Sequence, residues 1–283
     1  MPQSVSDGAL PWQRLAVINK HERDDHISFV EETHTYFIDG DSTGWVSCTK
    51  IVGACHSHFD ADAIIANMRS DPEKFARGKY YGMTDEEIKA GWSANGAAAS
   101  GAGTRMHLDI ERFYNADPVG NLAGDDYEPA LSPEWTMFLE YQRKIGSKFK
   151  PFRTEWLVWD RSVMISGSID MVYRKPDGTL AIYDWKRVKE IKTANRYDNM
   201  LGPLNHLPDT NYWHYTMQLN VYRRIIEANY GEKVTELALV VLHPDNQTYQ
   251  VLRLNLMPEE VDAVFAARRL AVEQGSAEPL VFD

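Results

Sequence analysis

The stretch from 167 to 187, GSIDMVYRKPDGTLAIYDWKR, constrains the fold more than any other, because it predicts two strands joined by a tight turn. The Pro-Asp-Gly sequence at 176 to 178 suits a three-residue hairpin loop in which the glycine takes the left-handed position. Lys175 then pairs with Thr179, and counting outward from that pair sets the register of both strands. The sequence therefore predicts a β-hairpin whose cross-strand neighbours can be named.

This register places Asp170 opposite Asp184. Directly opposed side chains have Cβ atoms about 5 Å apart, and like charges placed that way are destabilising unless a cation lies between them. Lys186 is two residues beyond Asp184 and shares its face of the strand. We therefore expect two carboxylates and an ammonium in one small patch.

The alternative is an exposed hairpin whose polar face points at water, and the flanking residues argue against it. One face is predicted to be apolar, and the acidic face also carries apolar residues: Ile169, Met171, Ala181, Tyr183 and Trp185 on the first, and Val172, Leu180 and Ile182 on the second. Such a hairpin is expected to be covered on both sides.

Composition limits what this patch could serve. The chain has 283 residues, of which 43% are hydrophobic, so it can bury the core of one large domain or of one domain with an elaborated lobe. It contains no apolar run long enough to cross a bilayer, and its start is unlike a signal peptide, so we expect a soluble, intracellular protein with no membrane partner.

Cys48 and Cys55 are the two cysteines of the sequence. They are too few for a disulfide framework or for an iron-sulfur cluster held by cysteine alone, so we expect no iron-sulfur cluster. The surrounding stretch, CTKIVGACHSH, lacks a standard zinc spacing. We therefore interpret both cysteines as structural thiols.

The formal net charge of -11 is the wrong sign for binding nucleic acid through diffuse charge. Any such binding must be local, and a basic segment begins at the acidic pair itself. A solvated basic loop is an equally good interpretation on charge alone. The segment contains Lys186, Arg187, Lys189, Lys192, Arg196, Arg223 and Arg224.

The order of predicted elements indicates an α/β protein with a mixed sheet. We expect a polar lead-in at 1 to 25, an N-terminal hairpin and helical region at 26 to 125, and an α/β core at 126 to 283 that forms one continuous structural domain with 95 to 115. The glycine- and alanine-rich start of this last segment could be helical or a flexible entry. The core is predicted from a helix at 133 to 147, strands at 153 to 159, 236 to 244 and 248 to 256, the hairpin, and helices at 210 to 231 and 258 to 274.

Four short motifs in this order resemble the PD-(D/E)XK nuclease superfamily, and within it the RecB-like and λ-exonuclease-like branch. The resemblance implies a restriction-endonuclease-like core with a mixed central sheet flanked by helices, plus a mainly helical N-terminal elaboration. The usual proline before the first acid is Ile169 here, which leaves the chemistry untouched. The motifs are GTRMH at 103 to 107, GSID at 167 to 170, DWK at 184 to 186 and QLNVY at 218 to 222.

The resemblance also implies a metal site. Asp170 and Asp184 would hold one or two Mg²⁺ or Mn²⁺ ions, with the Trp185 carbonyl and His107 as further ligands. Oxygen ligands suit both ions, and an imidazole suits Mn²⁺ better. Lys186 would stay charged and orient the attacking water or the scissile phosphate.

Other residues are expected around this site. Gln218 and Tyr222, one helical turn apart, would contact nucleic acid or the hairpin, and Arg187, Lys189 and Arg105 are further candidates for nucleic-acid contact. Glu111 lies one turn after His107 on the same helix face. Glu155 is expected opposite Ser166, too far along its strand to share an ion with Asp170, so we assign it and Glu111 supporting roles behind the metal ligands.

The resemblance favours a DNA nuclease, specifically an exonuclease acting on ends or single strands of single- or double-stranded DNA and leaving 5′-phosphate and 3′-hydroxyl products. A structure-specific or RNA-directed endonuclease and a noncatalytic nucleic-acid-binding scaffold are the alternatives. A helicase or recombination protein is a candidate partner.

Overall fold

The computed structural model describes residues 13–122, 127–275 and 280–282. It forms two compact units, one of Met1–Ser57 with Met106–Asp283 and one of His58–Arg105. Residues 1 to 12 of the predicted lead-in and the predicted boundary at 125 and 126 lie outside the described residues. In the part of the chain that the structure describes, no helix is both long and apolar enough to cross a bilayer.

The smaller unit is helical. Helices α3 (Ala61–Arg69) and α4 (Pro72–Ala76) each begin after an aspartate. The carboxylates of Asp60 and Asp71 cap these helices by accepting hydrogen bonds from the backbone N–H groups of Ala63 and Lys74. Helix α5 (Asp85–Asn115) starts in this unit and continues into the larger one. It includes the glycine- and alanine-rich segment, which is therefore helical.

The larger unit is a mixed α/β structure with a central mixed sheet flanked by helices, as predicted. Its N-terminal hairpin is confirmed by the antiparallel pairing of two short strands, and a two-residue strand at 46 to 47 was not predicted. The remaining elements are α1 (Arg14–Ile18), β1 (Ile27–Val30), β2 (Thr35–Ile38), β3 (Val46–Ser47), α2 (Cys48–Gly53), α6 (Pro133–Lys144), β4 (Lys150–Asp160), β5 (Ile165–Arg174), β6 (Leu180–Lys186), α7 (Asn211–Asn229), β7 (Val234–Val241), β8 (Gln250–Arg253) and α8 (Pro258–Glu273).

Strand β5 has an interrupted edge. Along one edge it pairs with β4 from end to end, so its other partners must share the opposite edge. There, β6 pairs with residues 171 to 174 and β3 pairs with residues 165 and 166. Within the described residues, positions 167 to 170 therefore have no strand beside them on that edge. The sheet continues from β6 to a parallel β7 and an antiparallel β8.

The sheet is buried on both faces, as the hairpin sequence predicts. Val172 and Ile182 belong to one apolar cluster, whereas Met171 and Tyr183 belong to the other. Ile169 was expected beside Met171 but lies in the cluster of Val172. The regular alternation of faces along β5 is therefore interrupted between Ile169 and Met171, which is the position of Asp170.

Candidate functional site

The hairpin turn has the predicted geometry. Gly178 has a φ of 85°, which is the left-handed conformation that glycine adopts without strain. The Lys175 backbone N–H donates to the Thr179 carbonyl at 2.8 Å. The strand pairing runs outward to Met171 and Tyr183 and ends there, so the carboxylates of the next two residues lie where the ladder stops.

The peptide of Trp185 is held by two side chains of the site. Its N–H donates to Asp170 Oδ2 at 3.0 Å, and its carbonyl oxygen lies 3.0 Å from His107 Nε2. The Trp185 ring is buried in an aromatic cluster that includes Tyr114 and Phe138. The backbone between Asp184 and Lys186 is therefore held on one side by the packing of the Trp185 ring and on the other by Asp170 and His107.

Glu155 on β4 lies beside Asp170 on β5, which corrects the predicted register of these two strands. Thr154 pairs with Met171 and Trp156 pairs with Ile169, so Glu155 is level with Asp170, and Ser166 instead pairs with Trp159. The expected pairing of Glu155 with Ser166 requires a turn centred between residues 160 and 161, which is too early in the chain. Strand β4 continues to Asp160, and the turn that follows it occupies residues 161 to 164.

The backbone of Glu155 is strained. Its φ of 43° lies in the left-handed region, where a residue with a side chain costs on the order of 1–3 kcal/mol and persists only when its surroundings enforce it. The Ser168 hydroxyl donates to Glu155 Oε2 at 2.9 Å. The strained backbone and this hydrogen bond together fix the carboxylate next to Asp170.

His107, on α5, faces both carboxylates. Its Nδ1 lies 3.5 Å from Asp170 Oδ2 and 3.9 Å from Glu155 Oε1. Burial by itself lowers the pKa of this imidazole, but Asp170 and Glu155 outweigh burial and raise the pKa to about 9. The ring is therefore protonated at neutral pH as long as no cation replaces the proton.

Asp184 and Lys186 form a buried ion pair. Lys186 Nζ lies 2.7 Å from Asp184 Oδ2, and these side chains are 18% and 4% exposed. Burial and the nearby Asp170 raise the pKa of Asp184 to about 6, although Lys186 acts in the opposite direction. Burial lowers the pKa of Lys186, but Asp184 and Asp170 outweigh it, so the ammonium stays charged.

Glu111, on the same helix as His107, interacts electrostatically with Glu155 and His107. Burial and the neighbouring Glu155 raise its pKa to about 8, so at neutral pH this carboxyl is largely protonated. A neutral Glu111 adds little to the negative charge of the cluster.

The two predicted residues of α7 occupy different environments. Tyr222 is 3% exposed and lies against Gly167, where an added Cβ would come within 2.7 Å of the tyrosine ring. Gln218 is partly exposed and interacts with the Tyr222 hydroxyl, which also reaches the thiol of Cys48. Because Tyr222 is buried, it is poorly placed for the direct contact with nucleic acid that was predicted for it.

Two of the three basic candidates are paired with other acidic residues. Arg187 pairs with the buried Glu134, with 2.6 Å between Nε and Oε1, and Lys189 pairs with Asp245 at 2.8 Å on the surface. Arg105 is exposed and belongs to the smaller unit. Their assignment to nucleic-acid contact stays a prediction, and the Glu134 pair makes Arg187 the least accessible of the three.

Two tyrosines near the site were absent from the predicted set. The Tyr215 ring lies 4.6 Å from Lys186 Nζ, a cation–π contact. Tyr36, on the N-terminal hairpin, has its pKa raised by burial, by Cys48 and by the carboxylate of Glu155. Tyr215 lies on the same α7 stripe as Gln218, which could have indicated it, whereas Tyr36 is 119 positions from Glu155 in the chain and carries no local signal.

His107, Glu155 and Asp170 form a group that could hold a metal ion, since one ligand atom from each lies within 4.8 Å of the others. Two carboxylates and an imidazole fit a divalent ion that accepts oxygen and nitrogen ligands. The residues present therefore fit a resident cation.

The sequence also matches a known protein family. The family model of the PD-(D/E)XK nuclease superfamily matches residues 125–280. No curated protein matches the sequence.

Solved structures also resemble the chain. One is a protein from Eubacterium rectale described as "Putative exonuclease", with 19% identity over 51% of this chain and 54% of that one and a TM-score of 0.33. Another is SSO0001, with 15% identity over 49% of this chain and 57% of that one and a TM-score of 0.28. The matched region thus spans little more than half the length of either protein.

Proposed function

The chain belongs to the PD-(D/E)XK nuclease superfamily, and on that premise we propose that it is a metal-dependent nuclease that hydrolyses phosphodiester bonds of DNA. One observation carries the proposal: His107, Asp170 and the Asp184–Lys186 ion pair surround a single peptide, that of Trp185. A cation held there would polarise the scissile phosphate, lower the pKa of a bound water and stabilise the leaving oxygen.

We assign the ion to Asp170, Asp184, His107 and the Trp185 carbonyl. His107 Nδ1 lies near both Asp170 and the strained Glu155, which supports adding Glu155 as a candidate ligand. Oxygen atoms dominate this set, which favours Mg²⁺ or Mn²⁺.

Lys186 supplies positive charge without binding the ion. Its ammonium is held by Asp184 on one side and faces the Tyr215 ring on the other. A fixed, desolvated charge of this kind stabilises negative charge that develops on the phosphate and requires no reorganisation during the reaction. Because Lys186 remains protonated, we assign it an electrostatic and orienting role.

On α7, Gln218 is partly exposed and is the better candidate for contact with the nucleic-acid backbone. Tyr222 would position β5 through its packing on Gly167. Gln218 and Tyr222 also belong to the motif that resembles the RecB-like and λ-exonuclease-like branch. This resemblance favours exonuclease action on ends or single strands, with 5′-phosphate and 3′-hydroxyl products. A helicase or recombination partner stays a prediction.

A cleavage assay tests the proposal. End-labelled single- and double-stranded DNA and RNA are incubated with Mg²⁺ or Mn²⁺, and the products are separated on a gel beside markers with defined 5′ and 3′ ends. We expect stepwise shortening of DNA that EDTA prevents.

The same gel separates the alternatives. Internal fragments without stepwise shortening would indicate an endonuclease, and preferential cleavage of RNA would indicate an RNA-directed enzyme. Retarded migration of an uncleaved substrate with both metals would support a noncatalytic binding scaffold and would overturn the enzymatic assignment.

A further inference from the structure

A second cluster of metal-ligating side chains lies outside the site described above. It consists of His56, Asp209 and His214, and one ligand atom from each lies within 4.8 Å of the others. We call it the His56 cluster. All three residues belong to the larger unit, and each is partly buried. None of them has a role in the proposed hydrolysis.

Three separate segments bring these residues together. His56 follows α2, Asp209 ends the loop before α7, and His214 lies in the first turn of α7. The Leu201 backbone N–H donates to the Cys55 carbonyl at 2.7 Å, which ties the first segment to the loop. The cluster is thus a meeting point of segments that are distant in sequence.

Asp209 is held in place by its surroundings. Its backbone N–H donates to the Asp198 carbonyl at 3.0 Å, and its carbonyl accepts from Asn195 Nδ2 at 3.0 Å. Its Oδ2 accepts from the Ser57 backbone N–H at 3.1 Å, and its Oδ1 lies 2.6 Å from His214 Nε2. One carboxylate therefore contacts two of the three segments and is ordered before any ion binds.

The two histidines lie face to face. Their ring centroids are 3.9 Å apart with an interplanar angle of 16°. Two protonated rings at this distance would repel each other, and a divalent ion that replaces their protons would remove that repulsion. Because the lone pair of an imidazole nitrogen lies in the ring plane, one of the two stacked rings has to turn for both to bind the same ion. His56 Nδ1 lies 3.1 Å from the Ser57 carbonyl, and a ring that donates there presents Nε2 as its ligand atom.

We propose that the His56 cluster binds one divalent transition-metal ion, with zinc as the best fit. Two imidazoles and a carboxylate form the three-ligand set of many zinc sites, in which a water completes the tetrahedron. Imidazole-rich sites prefer Zn²⁺, Co²⁺ or Ni²⁺ to Mg²⁺ or Ca²⁺. Ligands around 2.1 Å from one ion lie roughly 3.4 Å apart, so His214 Nε2 and Asp209 Oδ1, which are 2.6 Å apart, would separate when the ion binds.

Such an ion would cross-link three segments of the larger unit. His56 lies two positions before His58, where the chain enters the smaller unit. The ion is therefore expected to stabilise the start of that connection, and it requires no contact with nucleic acid. The proposal stands whether or not the chain is a nuclease.

The test measures uptake of Zn²⁺ and Co²⁺ by the full-length protein after EDTA treatment and dialysis. A His107→Ala background removes the imidazole of the other site. We expect about one bound equivalent of Zn²⁺, undisturbed by millimolar Mg²⁺, and visible absorption typical of four-coordinate Co²⁺. Adding His56→Ala or His214→Gln should weaken Zn²⁺ binding at least tenfold, while Asp170→Asn should not change it.

Carbethoxylation of histidines, mapped by mass spectrometry on the wild-type protein, needs no substitution in the cluster. Zn²⁺ should protect His56 and His214 from modification, and Mg²⁺ should not. Equal uptake of Zn²⁺ with and without His56→Ala, or equal modification of both rings with and without Zn²⁺, would overturn the proposal.

Discussion

The two candidate metal sites use the same residue types in opposite proportions. The site at Asp170 combines one imidazole with several carboxylates and a backbone carbonyl, whereas the His56 cluster combines two imidazoles with one carboxylate. The first is built on sheet strands and a long helix, and the second on chain segments beside two helix ends. Ligand proportion therefore predicts different ions for the two sites, Mg²⁺ or Mn²⁺ for the first and Zn²⁺ for the second.

The largest expected effect concerns catalysis, which we assign to the oxygen-rich site alone. Asp184→Asn and Lys186→Ala should each lower the rate of DNA cleavage by at least about 100-fold, because the first weakens a ligand of the ion and the second removes a positive charge that acts on the scissile phosphate. Asp177→Asn, in the exposed turn of the same hairpin, is the matched control and should cleave normally. Turnover above a tenth of the wild-type rate in either site variant, with an intact circular dichroism spectrum, would contradict the assignment.

A pH titration distinguishes the two sites next. Asp170 and Glu155 raise the pKa of His107 to about 9 despite burial, so below that pH an ion must displace a proton. The affinity for Mn²⁺ at this site should rise about tenfold per pH unit from 7 towards 9. At the other site, burial and the neighbouring His56 lower the pKa of His214, so Zn²⁺ affinity should change little over this range. Calorimetry at three pH values measures both, and a flat Mn²⁺ profile would exclude His107 as a ligand.

Stabilisation by Mg²⁺ should depend on the oxygen-rich site only. For a dissociation constant near 1 mM, about 10 mM Mg²⁺ contributes roughly 1.4 kcal/mol to the free energy of unfolding. For a chain of this size, that raises the melting temperature by roughly 3 °C. Asp170→Asn should lose most of this shift, and Lys186→Ala should keep it because the ammonium does not bind the ion. A full shift in Asp170→Asn would place the Mg²⁺ elsewhere.

The smallest expected effect concerns substrate binding beside the oxygen-rich site. Gln218→Ala removes one hydrogen bond worth about 1 kcal/mol, so KM for DNA should rise roughly fivefold. Metal affinity and the melting shift with Mg²⁺ should not change. Gln250→Ala, on an exposed part of β8, serves as the control. A loss of metal affinity in Gln218→Ala would contradict its role in binding substrate.

The hairpin could be predicted from the sequence because its turn has a recognisable local sequence. The Pro-Asp-Gly loop sets the pairing of Met171 with Tyr183, and each aspartate lies one position beyond this last pair. No such signature marks the turn between β4 and β5, where the non-glycine residue Met164 has a φ of 49°. The register of Glu155 was therefore wrong by several residues, although its proximity to His107 is decisive for the site.

The His56 cluster and Tyr36 could not be predicted for another reason. Each depends on contacts between segments far apart in the sequence, and the periodicity of a single helix or strand carries no information on such contacts. The cysteines near His56 were interpreted as structural thiols, and both are buried, with the Cys48 and Cys55 Sγ atoms donating to backbone carbonyls.

Gly167 and Tyr222 are two positions that cannot vary independently. An added Cβ at 167 would lie 2.7 Å from a ring carbon and 2.9 Å from the hydroxyl oxygen of Tyr222, so even alanine requires the ring to move. A side chain at 167 therefore requires either a displaced Tyr222 ring or a smaller residue at 222, and the smaller residue loses the hydroxyl that contacts Gln218. Engineering of α7 must therefore treat the two positions as one unit.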